Sequence, residues 1–172
     1  QTVMLGLQGV PGIYFNSLIG GRNDTIGVQT TGAARSINRQ KWDANTLSQQ
    51  FEDSASSTHR VFSEYLHRLR LRRERPAFHP DAPQRVLALA NGLFGFVRTS
   101  RDGNEQILSL SNLRPGAKQL DVKRAFPEFS GQVWTELIAG REIDGSAVSR
   151  LRLAPYQTLW LLNSSNRNMV TS

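Results

Sequence analysis

The sequence predicts a mixed fold, a truncated α/β segment followed by a small all-β antiparallel sandwich. Three observations carry this. A glycine- and proline-broken apolar stretch at residues 3–15 is followed by one strongly amphipathic helix at 56–73. Pro76, Pro80 and Pro83 then interrupt the chain. Beyond Gln84, short apolar runs alternate with turn dipeptides and no helical pattern intervenes.

Val3 to Leu7 reads as the end of a helix, Gly9-Val10-Pro11-Gly12 as a tight turn, and Ile13-Tyr14-Phe15 as a short buried strand of a parallel sheet. Residues 16–55 show no clear period. Forty residues exceed a plain connector, so they are either disordered or a functional loop held by side chains; Ile19, Ile26, Val28, Ile37, Trp42, Leu47 and Phe51 favour the held loop. In the helix, Val61, Phe62, Tyr65, Leu66 and Leu69 form one stripe, Ser56 or Ser57 can cap its start, and Pro76 stops it by Arg75. One strand and one helix cannot close a core, so Leu5, Leu7, Ile13, Phe15, Phe62 and Leu66 are expected to be exposed unless residues outside this chain cover them.

The boundary is placed between residues 83 and 84. The strand candidates beyond it are Val86 to Ala90, Leu93 to Arg98, Glu105 to Ser111, Gln132 to Ile138, Val148 to Leu153 and Tyr156 to Leu162. Asn91-Gly92, Asp102-Gly103 and Asp144-Gly145 suit hairpin turns. Val133, Thr135 and Leu137 are expected on one face, with Trp134 and Ile138 on the other; Leu151 and Leu153 alternate with Arg150 and Arg152, giving one core side and one wet side. The β-domain runs to residue 165, and residues 166–172 are a polar tail expected to fray.

Composition narrows the chemistry. The 172 residues are 38% hydrophobic and 20% charged, ordinary for a globular fold, and no apolar run reaches the length of a membrane span, so no membrane partner is expected. There are no cysteines, which excludes disulfides, thiolate nucleophiles and cysteine-ligated zinc, and fits a reducing, cytoplasmic compartment. The chain does not open on Met and has no leader pattern, and is expected to be part of a longer protein. The net charge of +7 is spread over both halves, densest at Arg68, Arg70, Arg72, Arg73 and Arg75. Without a reading motif or aromatic platform that patch reads as a solvated helix end, so no nucleic-acid partner is expected.

No phosphate-cradling glycine motif or nucleophile elbow is present. Glu64 and His67 could face one way on a helix, but a metal site needs further ligands, so they read as surface ion-pair chemistry, and neither metal nor cofactor is expected. Asp24, Asp43, Glu52 and Asp53 lie in or near the long loop, and none carries a pattern that marks it as catalytic. Arg22, Asn23, Asp24, Arg35, Asn38 and Arg39 decorate that loop; they could bind sugar hydroxyls or phosphate oxygens, or stitch the loop to itself. Trp134, Tyr156 and Trp160 lie in predicted strands, where packing is commoner than a sugar platform.

Gly9-Val10-Pro11-Gly12-Ile13-Tyr14-Phe15, continued by Ser17 to Asp24 and by Thr31-Gly32-Ala33-Ala34-Arg35-Ser36-Ile37-Asn38-Arg39, resembles the segment around the eighth barrel strand in the sucrose phosphorylase branch of the α-amylase superfamily of glycoside hydrolases. The relatives that phosphorolyse glucosylglycerate or phosphorylated sucrose are nearest. The resemblance extends through Arg72 to Pro80 into the first strands, and beyond residue 112 is mainly one of layout. It implies that residues 1–83 are the end of a (β/α)8 TIM barrel, comprising the last strand, a long loop and the last helix, and that 84–165 are the C-terminal β-sandwich. It implies a retaining, glucosyl-transferring enzyme whose intact form uses phosphate and a small sugar or sugar phosphate to make glucose 1-phosphate, partnered by the N-terminal part of the barrel. The family's catalytic carboxylates come from earlier strands and match nothing here, so the fragment alone is expected to be inactive. The resemblance assigns sugar binding to Arg35, rim positions to Arg22, Asn23 and Asp24, and loop support to Asn38 and Arg39. The alternative is a non-catalytic β-domain that binds glycan or props a barrel.

Overall fold

The computed structural model describes residues 1–89, 92–129, 133–144 and 150–163. The turn residues Asn91 and Gly145, the strand ends Ala90, Gln132 and Val148, and the tail 166–172 lie outside these. The chain is helical up to Phe78 and mainly antiparallel β from Gln84, where a short helix at Val122–Ala125, capped by Asp121, and a 3-10 turn at Pro127–Phe129 interrupt the strands, contrary to the expectation of none. No barrel closes among the described residues. By packing, Gln1–Pro11 and Arg70–Ser172 form one compact unit and Gly12–Leu69 another, a division different in kind from the barrel and sandwich boundary expected after Pro83.

The β-rich unit begins with α1 (Thr2–Gly6), and its described residues then form eight strands: β1 (Gln84–Val86), β2 (Leu93–Thr99), β3 (Gln106–Asn112), β4 (Lys118–Leu120), β5 (Trp134–Glu136), β6 (Arg141–Ile143), β7 (Leu151–Leu153) and β8 (Thr158–Asn163). Six form a sheet in the order β1-β2-β3-β8-β5-β6, and β4 pairs with β7; every pairing is antiparallel. The Asp102-Gly103 turn joins β2 to β3, with the Gly103 amide donating to the Ser100 carbonyl at 2.9 Å. Strands β4 and β6 fall in stretches without alternation, and β1 ends at Val86, short of the predicted run.

Alternation sorts the sheet into two faces. Val97, Leu108, Leu110, Leu159 and Leu161 join Leu120, Leu151 and Leu153 of the small sheet and Trp134 in one hydrophobic core. Leu151 and Leu153 point inward while Arg152 is exposed, as predicted. Trp134 is fully buried and Val133 is exposed, and Glu136 is buried beside them because its carboxylate accepts from the amides of Ile138 and Ala139 at 3.0 and 2.8 Å.

The other face of the six-stranded sheet carries Phe96, Arg98, Ser109 and Trp160, all fully buried. It packs on the N-terminal residues of the same unit: a Cβ on Gly6 would lie 3.0 Å from the Phe96 ring and 3.2 Å from Trp160 Nε1. Two arginines fix that segment. Arg98 donates to the carbonyls of Gly6, His79 and Ala82 at 3.0, 2.7 and 3.1 Å. Arg72 donates to those of Leu5, of Leu7 at 3.2 Å and of Gly9 at 2.6 Å. This corrects two expectations. Arg72 is buried among carbonyls and is no part of a solvated helix end, and Leu5 is fully buried.

The helical unit holds α2 (Phe15–Leu18), α3 (Thr25–Thr31), a 3-10 helix (Ala34–Asn38), α4 (Ala44–Glu52) and α5 (Ser57–Glu74) up to Leu69. Residues 13–15 form no strand: Phe15 starts α2, and Tyr14 and Phe15 are each 49% exposed. A single parallel strand needs neighbours for its amides and carbonyls, and this chain supplies none there. Residues 16–55 are mostly short helices, not a long loop. They lack a period because segments of four to nine residues are too short to show one, and caps define them instead. Asp24 accepts from the Gly27 amide at 2.7 Å, and Asp43 from the Thr46 amide at 2.8 Å. Gly32 closes α3 in the left-handed conformation at φ 64°.

The α5 helix keeps its predicted place. Ser56 accepts from the His59 amide at 2.9 Å and its hydroxyl donates to the Gln50 carbonyl, while His59 Nδ1 meets the Phe51 carbonyl at 2.6 Å. The Phe51 and Phe62 rings lie 4.7 Å apart. The helix ends at Glu74, ahead of a 3-10 turn at Pro76–Phe78.

Candidate functional site

Three of the four acids singled out in the sequence are occupied in holding the backbone. Asp24 and Asp43 are helix caps, and Asp53 accepts from the Ala55 amide at 2.9 Å; Glu52 is exposed. The Thr46 amide and hydroxyl hold the Asp43 carboxyl below its usual range. Glu64 pairs with Arg68 at 2.5 Å, and that bond lowers its pKa. No cluster of three metal-binding side chains occurs among the described residues. No pair of carboxylates suited to glycosidic cleavage was found on this segment by sequence, and the structure turns these acids to capping instead.

The cations are treated differently. Arg22, Arg35 and Arg39 are exposed, as is Lys41, and none of their side chains makes a hydrogen bond or ion pair to the described residues. Arg35 stands on the 3-10 helix Ala34–Asn38, whose backbone is pinned at several points. The Ile37 carbonyl accepts from the Asp24 amide at 2.6 Å. The Asn38 carbonyl accepts from the Tyr14 hydroxyl and from Asn16 Nδ2 at 2.8 Å. Ser36 Oγ lies 2.8 Å from Thr31 Oγ1, at the end of α3. A short helix held on both flanks therefore presents one free guanidinium, the form of group that meets a vicinal diol or an anion through two parallel bonds.

The expected residues thus divide. Asp24, Ile37 and Asn38 are brought together by backbone bonds, Arg35 is held up beside them, and Arg22 and Asn23 lie exposed one turn before α3. Asn38 serves through its carbonyl. Nothing local marks Tyr14 or Asn16 as a partner of that carbonyl: Tyr14 belongs to the run expected to form a strand, and Asn16 opens the stretch without a period. Trp42 donates to Asn16 Oδ1 at 2.9 Å, which explains an indole in an otherwise polar stretch.

The sugar-platform aromatics resolve in favour of packing for two of three. Trp134 and Trp160 are fully buried, and Phe78 lies 4.7 Å from Trp160. Tyr156 is not on a strand; it sits in the turn before β8 at φ 56°, 67% exposed. In the β-rich unit, an open groove of about 480 Å³ is lined by Pro76, His79, Arg101 and Asp102. Its carboxylate is engaged by Ser100 at 2.5 Å and by Asn104, which lower its pKa, so the groove offers one occupied acid and not a catalytic pair.

The fold is shared with parts of larger proteins of known structure. A variant of AmyP in complex with maltotriose matches 95% of the chain with a TM-score of 0.72 at 12% identity, over 33% of its own length. The trehalulose synthase MutB from Pseudomonas mesoacidophila matches 94% with a TM-score of 0.63 at 19% identity, over 37% of its length. At these identities the likeness is one of fold. No family model matches the chain.

The chain is homologous to the C-terminal part of sucrose-phosphorylase-like enzymes of the α-amylase superfamily. The curated relatives are glucosylglycerate phosphorylases: that of Spirochaeta thermophila is 35% identical, covering 94% of this chain, that of Allomeiothermus silvanus 31% over 95%, and that of Escherichia coli 28% over 94%. The chain spans about a quarter of the length of each, 28%, 26% and 27% respectively. No helix among the described residues is long and apolar enough to cross a membrane.

Proposed function

We propose that this chain is the C-terminal part of a cytoplasmic, retaining phosphorylase that transfers a glucosyl unit from glucosylglycerate, or from sucrose or a related α-glucoside, to inorganic phosphate. Residues 1–83 belong to its barrel and 84–165 to its C-terminal sandwich. The single observation that supports this most strongly is homology along 94% or more of the chain to three enzymes bearing that name.

The chemistry divides accordingly. Retention needs two carboxyls close across the scissile bond, and phosphate must then attack the glucosyl intermediate from a site that restrains water. Those carboxyls lie outside this chain, so residues 1–172 do not turn over substrate alone. This chain contributes Arg35, a forked donor to the glucosyl hydroxyls or to phosphate, with Arg22, Asn23 and Asp24 at the rim and Asn38 and Arg39 as loop support. Arg35 has no carboxylate partner of its own, so its planar fork of donors is available to a ligand.

A second role belongs to the β-domain itself. Arg98 on β2 gathers carbonyls from Gly6, His79 and Ala82, so the sandwich props a segment of barrel origin.

The test is Arg35→Ala in the full-length enzyme, assayed for glucose 1-phosphate release from glucosylglycerate and phosphate. A loss of about 100-fold in kcat/KM with an unchanged melting temperature is expected. Wild-type kinetics in that variant would remove Arg35 from the site.

A further inference from the structure

In the helical unit the buried Asn16 side chain bonds the 3-10 helix that carries Arg35, at its last residue Asn38. Asn16 lies on the four-residue helix α2, is 8% exposed, and uses both ends of its amide. Nδ2 donates to the Asn38 carbonyl at 2.8 Å, and Oδ1 accepts from Trp42 Nε1 at 2.9 Å. Its own carbonyl accepts from the Gly21 amide at 2.6 Å, which closes the turn leading to Arg22. Gly21 is packed on it closely enough that a Cβ there would meet Asn16 Cβ at 3.2 Å. One buried residue therefore joins α2 through its main-chain carbonyl to the turn before α3, and through its side-chain amide to the last residue of the 3-10 helix and the segment entering α4.

The other side-chain bonds to the 3-10 helix are more exposed. The Tyr14 hydroxyl reaches the same Asn38 carbonyl from a half-exposed ring. The contact between Thr31 and Ser36 joins two hydroxyls at the surface. Exposed hydrogen bonds compete with water, whereas a buried amide with both ends partnered resists exchange for solvent. The main chain adds the Asp24 amide on the Ile37 carbonyl at 2.6 Å; among the side chains bonded to residues 34–38, Asn16 is the buried one with both ends of its amide partnered.

We infer that Asn16 is a positioning residue for Arg35, setting the placement of the guanidinium by holding the 3-10 helix from behind; the inference rests on the reading of Arg35 given above. Asparagine suits this place by its chemistry. The carbonyl of Asn38 requires a donor and the indole of Trp42 requires an acceptor, and only a side-chain amide of this length offers both. Aspartate keeps the acceptor and loses the donor. Alanine loses both.

A double-mutant cycle between positions 16 and 35 of the full-length enzyme tests this, with kcat/KM for phosphate-dependent glucose 1-phosphate release and the melting temperature read for each variant. Asn16→Ala is expected to lower kcat/KM about 10-fold in the wild-type background, through displacement of the reacting geometry. In the Arg35→Ala background the same change is expected to cost under about 3-fold, because there is no guanidinium left to misplace. Asn16→Asp, which matches asparagine in shape, is expected to give the same non-additive pattern and supplies the comparison should the alanine variant not fold. Equal losses in both backgrounds, or full activity in both Asn16 variants, would overturn the inference. Failure of the underlying reading looks different: Arg35→Ala alone would then retain wild-type kinetics.

Discussion

Replacing Arg98 by Met probes the internal support of the β-rich unit most sharply. The Arg98 side chain is entirely buried and makes three hydrogen bonds, all to backbone carbonyls, with no carboxylate among its partners. Burial, and secondarily the charge of Arg72, lower its pKa to about 10, so the folded environment disfavours the charged form and the hydrogen bonds offset that penalty. Methionine fills much of the same volume without the charge. It spares the desolvation cost but leaves carbonyls of Gly6, His79 and Ala82 without this donor, at about 1–3 kcal/mol for each one left unsatisfied. With the penalty partly recovered, a net loss of roughly 3 kcal/mol is expected. For a chain of this size that corresponds to a fall in Tm of about 6–12 °C. Urea unfolding of wild type and Arg98→Met at pH 7, followed by near-ultraviolet circular dichroism on the buried tryptophans, gives the difference. A change below about 1 kcal/mol would show that the three bonds do not hold the segment and would refute the clamp.

Gly20→Ala should destabilise the helical unit by about 1–3 kcal/mol, because Gly20 sits at φ 68° and an added Cβ would lie 2.9 Å from Val61 Cγ2; chemical denaturation of the variant checks it, and an unchanged midpoint would show that the turn does not pack there. Gly6→Ala should likewise cost about 1–3 kcal/mol through its approach to Phe96 and Trp160, read as a change in tryptophan fluorescence and a lower midpoint. The pKa of Glu64 is lowered from 4.5 by its bond to Arg68, so the pair stabilises the fold above pH 4.5 and the contribution is lost as pH falls through the folded value. Since Glu64 is largely exposed, Glu64→Gln should cost no more than about 0.5 kcal/mol at pH 7 and nothing at pH 2, and equal losses at both pH values would contradict the linkage.

Elements that declare themselves through local chemistry were legible before any coordinates. Ser56 caps α5, Pro76 ends it, Gly103 turns the β2–β3 hairpin, and Leu151 and Leu153 alternate with a wet Arg152. Each depends on neighbours within four residues. The run Ile13-Tyr14-Phe15 has every local mark of a strand, and only the lack of hydrogen-bonding neighbours in this chain decides against it. The helices between Phe15 and Glu52 were hidden by their brevity, although Asp24 and Asp43 stood at the cap positions in plain view. Strand β4, Lys118-Gln119-Leu120, carries no alternation to speak of and is defined by its partner β7.

Side-chain roles were least legible where they depend on partners far away in sequence. Arg72 bonds to carbonyls 63 to 67 residues away and Arg98 to carbonyls 16, 19 and 92 residues away, and nothing local separates them from the surface arginines around them. Asn16 meets Asn38 and Trp42 across 22 and 26 residues. Arg35, by contrast, was singled out by its place in a sequence pattern, and the structure leaves it exposed on a braced helix.

The most direct test follows the fate of the glucosyl group in the full-length enzyme. Glucosylglycerate is incubated with and without inorganic phosphate, and the products are resolved by phosphorus and proton magnetic resonance. Retention through a glucosyl intermediate predicts α-glucose 1-phosphate, formed at a rate that rises with phosphate and falls to a slow release of free glucose without it. Free glucose released at the same rate with or without phosphate, or a β-configured product, would contradict the assignment of a retaining phosphorylase.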